Sequence, residues 1–154
     1  MKIYLAGPLF SEGERNWIRN LKKEIELLSD SWGKQVSVLW PYEFITQPEI
    51  ESLGTGAKHE IFSRCKSHLD CADMVIAILD GPQVDDGTAW EIGYFYAKRS
   101  PEQKIIGVRT DFRRAGESNG AVVNAMIEIS CDQVLRTREE LLEAVSKLLR
   151  LSRA

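Results

Sequence analysis

Short apolar runs alternate with amphipathic segments along the whole chain. The run at residues 74–79 is apolar at every position, which predicts a central parallel strand covered on both faces. Four other runs of strand length lie before and after it. We predict strands at residues 2–6, 36–39, 74–79, 105–108 and 129–135.

The segments between these runs carry signals for helices. Ser11 with Glu14, Thr46 with Glu49, and Thr137 with Glu140 each form the Ser/Thr-x-x-Glu pattern of a capping box. The first and the last of these patterns precede apolar stripes at helical spacing. Further helices are predicted over residues 57–71, 87–98 and 122–128, the first of them with Ile61, Cys65, His68 and Leu69 on its inner face.

Five strands that alternate with helices are typical of an α/β three-layer sandwich with a parallel sheet. We expect one domain over residues 1–154 and a flavodoxin-like strand order, 2-1-3-4-5. In such sheets, ligands bind beyond the carboxyl ends of the strands where the strand order reverses. That point lies between strands 1 and 3, so the loops at residues 7–10 and 80–88 are where chemistry is expected.

Composition narrows the class of partner. The net charge is −3 with both signs spread along the chain, which argues against a nucleic-acid polymer and favours a small neutral substrate. No apolar run is long enough to cross a bilayer, and no secretory signal is visible, so we expect a cytoplasmic protein with no membrane partner. The three cysteines and two histidines have no zinc-binding spacing, so no metal is expected.

The densest group of carboxylates lies in residues 80–91, between the central strand and a helix. Glu91 is predicted in the first turn of that helix, where free N–H groups and the helix dipole would keep it ionised. Capping alone would explain one acid here, but the segment has more acids than a cap needs. Tyr4 lies in the first strand and Asp73 precedes the central one. We predict that Tyr4, Asp73, Asp85 and Glu91 all face one pocket.

Such a group suits glycosyl transfer. A carboxylate stabilises the positive charge that develops at an anomeric carbon and can then bond to that carbon. A second acid protonates the leaving group.

Four blocks of the sequence carry a resemblance to a known family. They are residues 3–8 (IYLAGP), 72–81 (ADMVIAILDG), 85–94 (DDGTAWEIGY) and 124–128 (NAMIE). In this order and over most of the chain, they resemble the nucleoside 2-deoxyribosyltransferases.

The resemblance implies a role for each of five residues. Glu91 would form the covalent deoxyribosyl intermediate, and Tyr4 would hydrogen-bond and orient it. Asp73 would assist protonation of the base, and Asp85 would bind sugar hydroxyls. Asn124 would reach the 5′-hydroxyl from a neighbouring subunit, so a homo-oligomer with shared active sites is implied.

The other expected substrate contacts are Gly7, Pro8, Phe10, Gly87 and Met126, which lie in or beside the matching blocks. The resemblance implies no metal and no organic cofactor; the partners would be a deoxynucleoside and a free nucleobase. Some members complete the site with a tyrosine near the C-terminus, and residues 151–154 carry none. The loop that would face the base, residues 40–47, does not match, which leaves purine or pyrimidine preference open.

A related activity is the hydrolysis of 2′-deoxynucleoside 5′-phosphates to free base. That enzyme needs a phosphate cradle after strand 1, where this chain has the apolar run Pro8-Leu9-Phe10. Asn124 likewise suits a hydroxyl better than a phosphate. Ser11, Arg15 and Ser118 leave this alternative open.

Two more distant alternatives remain. The cytokinin-activating phosphoribohydrolases share a Gly-Thr-x-x-Glu element, but their glycine-rich run before it is missing here. The other is a non-catalytic nucleotide-binding module on the same scaffold, because a fold does not determine function. The carboxylates argue against that module, since they repel phosphates.

Overall fold

Five strands alternate with six α-helices over residues 1–151, the part of the chain that the computed structural model describes. The strands are β1 (Lys2–Ala6), β2 (Ser37–Leu39), β3 (Met74–Ile78), β4 (Lys104–Val108) and β5 (Gln133–Leu135). The helices are α1 (Glu12–Ser31), α2 (Gln47–Leu53), α3 (Ala57–Asp70), α4 (Asp86–Lys98), α5 (Ala125–Ser130) and α6 (Arg138–Leu151), with 3₁₀ turns at Pro41–Glu43 and Gly54–Gly56. The expectation about a C-terminal tyrosine contact concerns residues 152–154, which lie outside the described residues.

All four strand pairings are parallel, and the order is β2-β1-β3-β4-β5. The predicted flavodoxin-like order is therefore confirmed. β1 lies beside β3, with Ala6 opposite Ala77 at their carboxyl ends. The loops after these two strands leave the sheet at the point where the order reverses, which is where such folds form ligand sites.

Side chains on β1 and β3 alternate between two hydrophobic clusters, one on each face of the sheet. On one face, Ile3 and Leu5 pack in a cluster with residues of α1 and α6. On the other face, Tyr4 and Ala6 pack in a cluster with residues of α3 and α4. This alternation builds the three layers, and it directs Tyr4 toward α4.

The capping boxes form as predicted. Ser11 and Thr46 each accept a hydrogen bond from the backbone N–H three residues on, and a glutamate returns the bond. Thr137 does the same for Glu140, at 3.1 Å. No helix within residues 1–151 has both the length and the apolar character needed to cross a membrane.

Three local predictions were wrong. The fifth strand is shorter than predicted, because residues 129–130 belong to α5. Asn124 caps that helix by accepting a hydrogen bond from Met126 N at 2.9 Å, so the helix starts later than predicted and runs further. In α3, Ile61 lies outside the core with 37% of its surface exposed, whereas Leu69 is fully buried.

Candidate active site

A cavity of about 590 Å³ lies at the carboxyl-terminal edge of the sheet, within the size range of small-molecule sites. Its lining is mostly apolar and comes from the loop after β1, from residues 41–50, from α3 and from the start of α4. The lining residues are Gly7, Leu9, Phe10, Pro41, Tyr42, Glu43, Phe44, Ile45, Thr46, Gln47, Ile50, Ile61, Arg64, Cys65, Asp85, Gly87, Thr88 and Glu91.

Glu91 and Tyr4 form a hydrogen-bonded pair at the wall of this cavity. The Tyr4 hydroxyl donates to Oε1 of Glu91 at 2.6 Å. The Tyr4 side chain is fully buried because β1 presents it to α4, and Glu91 on α4 is partly buried. The hydrogen bond occupies one carboxylate oxygen of Glu91 and leaves the other free to act on a ligand.

The surroundings of Glu91 bring its ionisation close to neutral pH. Burial raises the pKa of Glu91 to about 7; the hydrogen bond from Tyr4 opposes the rise, and the charge of Asp85 adds to it. Burial and the neighbouring Glu91 charge also raise the pKa of Tyr4 far above its usual value. The phenol therefore stays protonated and remains a donor.

The position of Glu91 corrects a prediction from the sequence. Because α4 begins at Asp86, Glu91 lies in the second turn of the helix rather than the first. It is beyond the free N–H groups, and the effect of the helix dipole weakens after the first turn. The expectation that these groups keep Glu91 ionised was wrong, since burial dominates and shifts its pKa upward.

Asp85 is the N-cap of α4 and also lines the cavity. Its Oδ2 accepts hydrogen bonds from the backbone N of Thr88 at 2.9 Å and from the Thr88 hydroxyl at 3.0 Å. The Thr88 side chain is buried. Capping and ligand contact are therefore compatible for Asp85, because the cap uses only one carboxylate oxygen.

The Phe44 ring and the Cys65 thiol form the part of the cavity wall next to the Tyr4–Glu91 pair, and neither residue was predicted from the sequence as a substrate contact. Phe44 stacks on His68 with ring centroids 3.8 Å apart and lies 6.0 Å from the Tyr4 ring. Cys65 on α3 also lines the cavity, and burial and then the Glu91 charge raise the pKa of its thiol to about 11. The resemblance places residues 40–47 beside the base, but this irregular segment has no periodic pattern that could have singled out Phe44.

The structure does not bring Asp73 to the cavity, which corrects its predicted place. Asp73 precedes β3 and therefore lies at the amino-terminal edge of the sheet, where its Oδ2 accepts a hydrogen bond from Lys2 N at 2.7 Å. A parallel strand rises about 3.3 Å per residue, so Asp73 is roughly 17 Å from the carboxyl-terminal end of β3. Asp73 joins two strand ends instead of facing a ligand.

The loop after β1 reaches the cavity at Gly7 and Phe10 but not at Pro8. Pro8 lines a separate, smaller cavity of about 250 Å³ on the α1 side. Gly7 approaches its neighbours closely, since a Cβ there would stand 3.0 Å from Cβ of Ile78. That close approach explains why glycine suits this turn.

Asn124 and Met126 lie outside the cavity of their own chain. Asn124 is exposed, caps α5 and donates a hydrogen bond to Glu117. Met126 has 79% of its surface exposed. Within residues 1–151, no cluster of three or more His, Cys, Asp or Glu side chains could hold a metal ion.

The fold and the cavity define an α/β protein with a buried tyrosine–glutamate pair at the switch point of its sheet. The family model described as nucleoside 2-deoxyribosyltransferase matches residues 3–126. The chain belongs to this family.

The chain is also similar to two proteins whose descriptions state no activity. An uncharacterised protein of Ureaplasma parvum is 34% identical to this chain over 120 residues. The aligned region covers 73% of this chain and 72% of the Ureaplasma protein. A conserved protein of Enterococcus faecalis has a similar structure, with a TM-score of 0.75, 25% identity and coverage of 96% of this chain and 98% of its own.

Two structures of 2-deoxyribosyltransferases also match. The one from Bacillus psychrosaccharolyticus has a TM-score of 0.66 at 25% identity and covers 92% of this chain and 90% of its own. The one from Leishmania mexicana has a TM-score of 0.66 at 22% identity, and the match covers 95% of this chain and 97% of the Leishmania chain. At this identity the match shows a similar fold alone.

Proposed function

We propose that the protein transfers the 2-deoxyribosyl group between nucleobases, with Glu91 as the nucleophile. The observation that carries the proposal is the hydrogen bond between Tyr4 and Glu91 at the wall of an apolar cavity. Membership of the nucleoside 2-deoxyribosyltransferase family supports the class of reaction.

In the proposed reaction, the free carboxylate oxygen of Glu91 attacks the anomeric carbon of a 2′-deoxynucleoside. The C–N bond breaks, its electron pair goes to the base nitrogen, and a glutamyl ester of deoxyribose forms. Tyr4 holds Oε1 and fixes the plane of the carboxylate. A second base then attacks the same carbon and releases Glu91.

The proton for the departing base does not come from Asp73 in this proposal. Asp73 lies at the other edge of the sheet and is engaged with Lys2. In this proposal a solvent molecule supplies the proton that the departing base takes up. The Phe44 ring lines the cavity and provides an apolar surface on which either base can stack.

The remaining oxygen of Asp85 is proposed to accept a hydrogen bond from the sugar. A 2′-deoxynucleoside has hydroxyls at the 3′- and 5′-positions, and Asn124 of a neighbouring subunit is proposed to contact the 5′-hydroxyl. Asp85, on the same helix as Glu91, would then take the 3′-hydroxyl. The exposure of Asn124 and Met126 supports a homo-oligomer with shared sites, because neither residue reaches the cavity of its own chain.

Hydrolysis of 5′-monophosphates is supported less well. Ser11 is one of the residues that leave this alternative open, but its hydroxyl accepts a hydrogen bond from Glu14 N and so caps α1. Arg15 donates from Nη1 to the carbonyl oxygens of Leu9 and Phe10 at 2.9 and 2.7 Å. The Ser11 hydroxyl and Nη1 of Arg15 are thus already used within this loop, which leaves fewer donors for a phosphate. The three free cysteines fit a reducing compartment, so we propose a cytoplasmic location.

Base exchange tests the proposal directly. The protein would be incubated with 2′-deoxyinosine and free adenine, then with thymidine and free adenine, and the products separated by chromatography. Formation of deoxyadenosine supports transfer and reveals the donor range. Release of free base without an exchange product indicates a hydrolase, and binding without turnover indicates a non-catalytic module.

The role of Glu91 needs its own variant. Glu91→Gln should lower the rate of exchange by several orders of magnitude, as expected for loss of a nucleophile. Glu139→Gln, at an exposed position on α6, is the matched control and should retain the wild-type rate. Donor without acceptor should add the mass of one deoxyribosyl group to the peptide that carries Glu91. Near-normal turnover by Glu91→Gln would overturn the assignment.

A further inference from the structure

The two oxygens of the Asp85 carboxylate have different surroundings. Oδ2 accepts both hydrogen bonds that Thr88 provides, at 2.9 and 3.0 Å. Within residues 1–151, no hydrogen-bond donor reaches Oδ1. Because Asp85 lines the cavity, one oxygen is held by the helix and the other remains available to a ligand.

The Thr88 hydroxyl does more than an N-cap requires. An aspartate cap needs only the backbone N–H of the third helical residue, which Thr88 already supplies. The hydroxyl adds a second donor to the same oxygen, and the Thr88 side chain is only 1% exposed. Two donors from one residue stop the carboxylate from rotating about its terminal bond.

Gly87 restricts Asp85 from another direction. A Cβ at Gly87 would stand 3.2 Å from Oδ2 of Asp85, closer than ordinary van der Waals contact. The carboxylate therefore fits against the bare backbone of Gly87 while Thr88 holds it. Any larger residue at position 87 has to displace Asp85 or shift the first turn of α4.

We infer that Thr88 is a positioning residue for Asp85, and that it fixes Oδ1 to accept a hydrogen bond from the 3′-hydroxyl of the deoxyribose. This inference rests on the proposed function, since it assigns a sugar contact within the same site. Thr88 does not itself touch the reacting atoms. Its contribution is a carboxylate oriented before the substrate binds, which lowers the cost of ordering it.

The test compares a nucleoside that has the 3′-hydroxyl with one that lacks it. The donor is 2′-deoxyinosine or thymidine, whichever the wild type turns over faster, and its 3′-deoxy analogue is measured as a competitive inhibitor. The analogue needs no turnover in this design. The variants are Thr88→Val, which removes the hydroxyl at nearly constant shape, and Thr88→Ser, which keeps it.

Thr88→Val should raise the KM of the donor about tenfold, the effect of one hydrogen bond to a charged group. It should change the inhibition constant of the 3′-deoxy analogue by less than about twofold, which is much smaller than the roughly tenfold change in the KM of the donor. Thr88→Ser should restore the donor KM. Gly87→Ala should repeat the selective loss through steric pressure on Asp85, which gives a second, independent variant.

An equal loss with donor and analogue would overturn the inference, because Thr88 would then act on the fold or the whole site. An unchanged donor KM in Thr88→Val would overturn it as well. If the wild type performs no base exchange at all, the proposed function has failed, and this is seen before any variant is measured.

Discussion

The hydroxyl of Tyr4 lies 2.6 Å from Oε1 of Glu91 and donates a hydrogen bond to it across the boundary between β1 and α4. The two residues are 87 positions apart in the chain, so the sheet and the helix must both form before the pair exists. Burial raises the pKa of Glu91 to about 7, while the bond from Tyr4 lowers it. The ionisation of the proposed nucleophile is thus set by the balance between these two effects.

The pH dependence of base exchange should report the ionisation of Glu91. Only the carboxylate can attack, so kcat/KM should rise from pH 5 to pH 8 with an inflection near pH 7. An ordinary glutamate would place the inflection near 4.5. The measurement is the initial rate at low donor concentration across this range. A flat profile between pH 5 and 8 would show that Glu91 does not control the rate in this way.

Removal of the Tyr4 hydroxyl should move this inflection to higher pH. The hydrogen bond from Tyr4 favours the ionised form of Glu91, so Tyr4→Phe should raise the pKa of Glu91 further. The matched control is Tyr94→Phe, because the Tyr94 hydroxyl bonds Asp70 away from the cavity. That control should leave the inflection where the wild type has it. An inflection that moves to lower pH in Tyr4→Phe would contradict the interpretation.

Glu91→Gln should make the protein more stable above neutral pH. The pKa of Glu91 is about 7 in the folded state and near 4.5 when unfolded, so this group favours folding below 4.5 and loses that contribution as the pH rises through 7. Glutamine cannot ionise and avoids the loss. The gain at pH 8 should be about 1–3 kcal/mol.

Urea unfolding at pH 5 and pH 8 measures this difference. The advantage of Glu91→Gln over the wild type should be larger at pH 8 than at pH 5. Glu139→Gln, on the exposed side of α6, should show no comparable pH dependence. The same advantage at both pH values would mean that burial of the Glu91 charge is not its cause.

Asp73→Ala should affect stability rather than catalysis. The substitution removes the acceptor for Lys2 N, which should cost about 1 kcal/mol of unfolding free energy. If the carboxyl were the acid that protonates the base, its loss would lower kcat by about 10²–10⁴-fold. We expect kcat to remain within about twofold of the wild type, because Asp73 lies away from the cavity. Such a change is far smaller than the loss expected for removal of a catalytic acid. A loss of the larger size would return Asp73 to the catalytic group.

The strands could be predicted because the hydrophobic pattern of each strand is local, and their order followed from the alternation of strands with helices. The same pattern, with side chains alternating along β1, also directs Tyr4 to the face that carries α4. Asp73 was misplaced although its position before a strand implies the amino-terminal edge, the wrong edge for a ligand. Motif resemblance outweighed topology in that prediction.

The place of Phe44 in the cavity wall could not be predicted, because the path of the segment at residues 40–47 depends on contacts distant in sequence. Arg64 on α3 donates to the carbonyl oxygen of Phe44 at 2.6 Å and holds the irregular segment against the cavity. Neither residue belongs to a periodic pattern or a recognised block. The two hydrogen bonds from Thr88 to Asp85 were missed for a related reason, since packing determines the rotamer of the Thr88 hydroxyl.

Shared active sites can be tested by mixing two inactive variants. Glu91→Gln lacks the nucleophile, and Asn124→Ala lacks the residue proposed to reach a neighbouring site. If each site takes Glu91 from one chain and Asn124 from another, co-refolding the variants in equal amounts should restore about one quarter of the wild-type activity. That fraction follows because half of the sites receive an intact Glu91, and half of those receive an intact Asn124.

The same experiment separates sharing from a structural effect. Asn124 caps α5 through Met126 N, so Asn124→Ala alone could lose activity by weakening that helix. A weakened helix is not repaired by a partner that lacks Glu91, whereas a missing contact is. Each variant co-refolded with itself is the control. Recovery would establish sites built from two chains, and activity no higher than in the controls would restrict each site to a single chain without changing the proposed reaction.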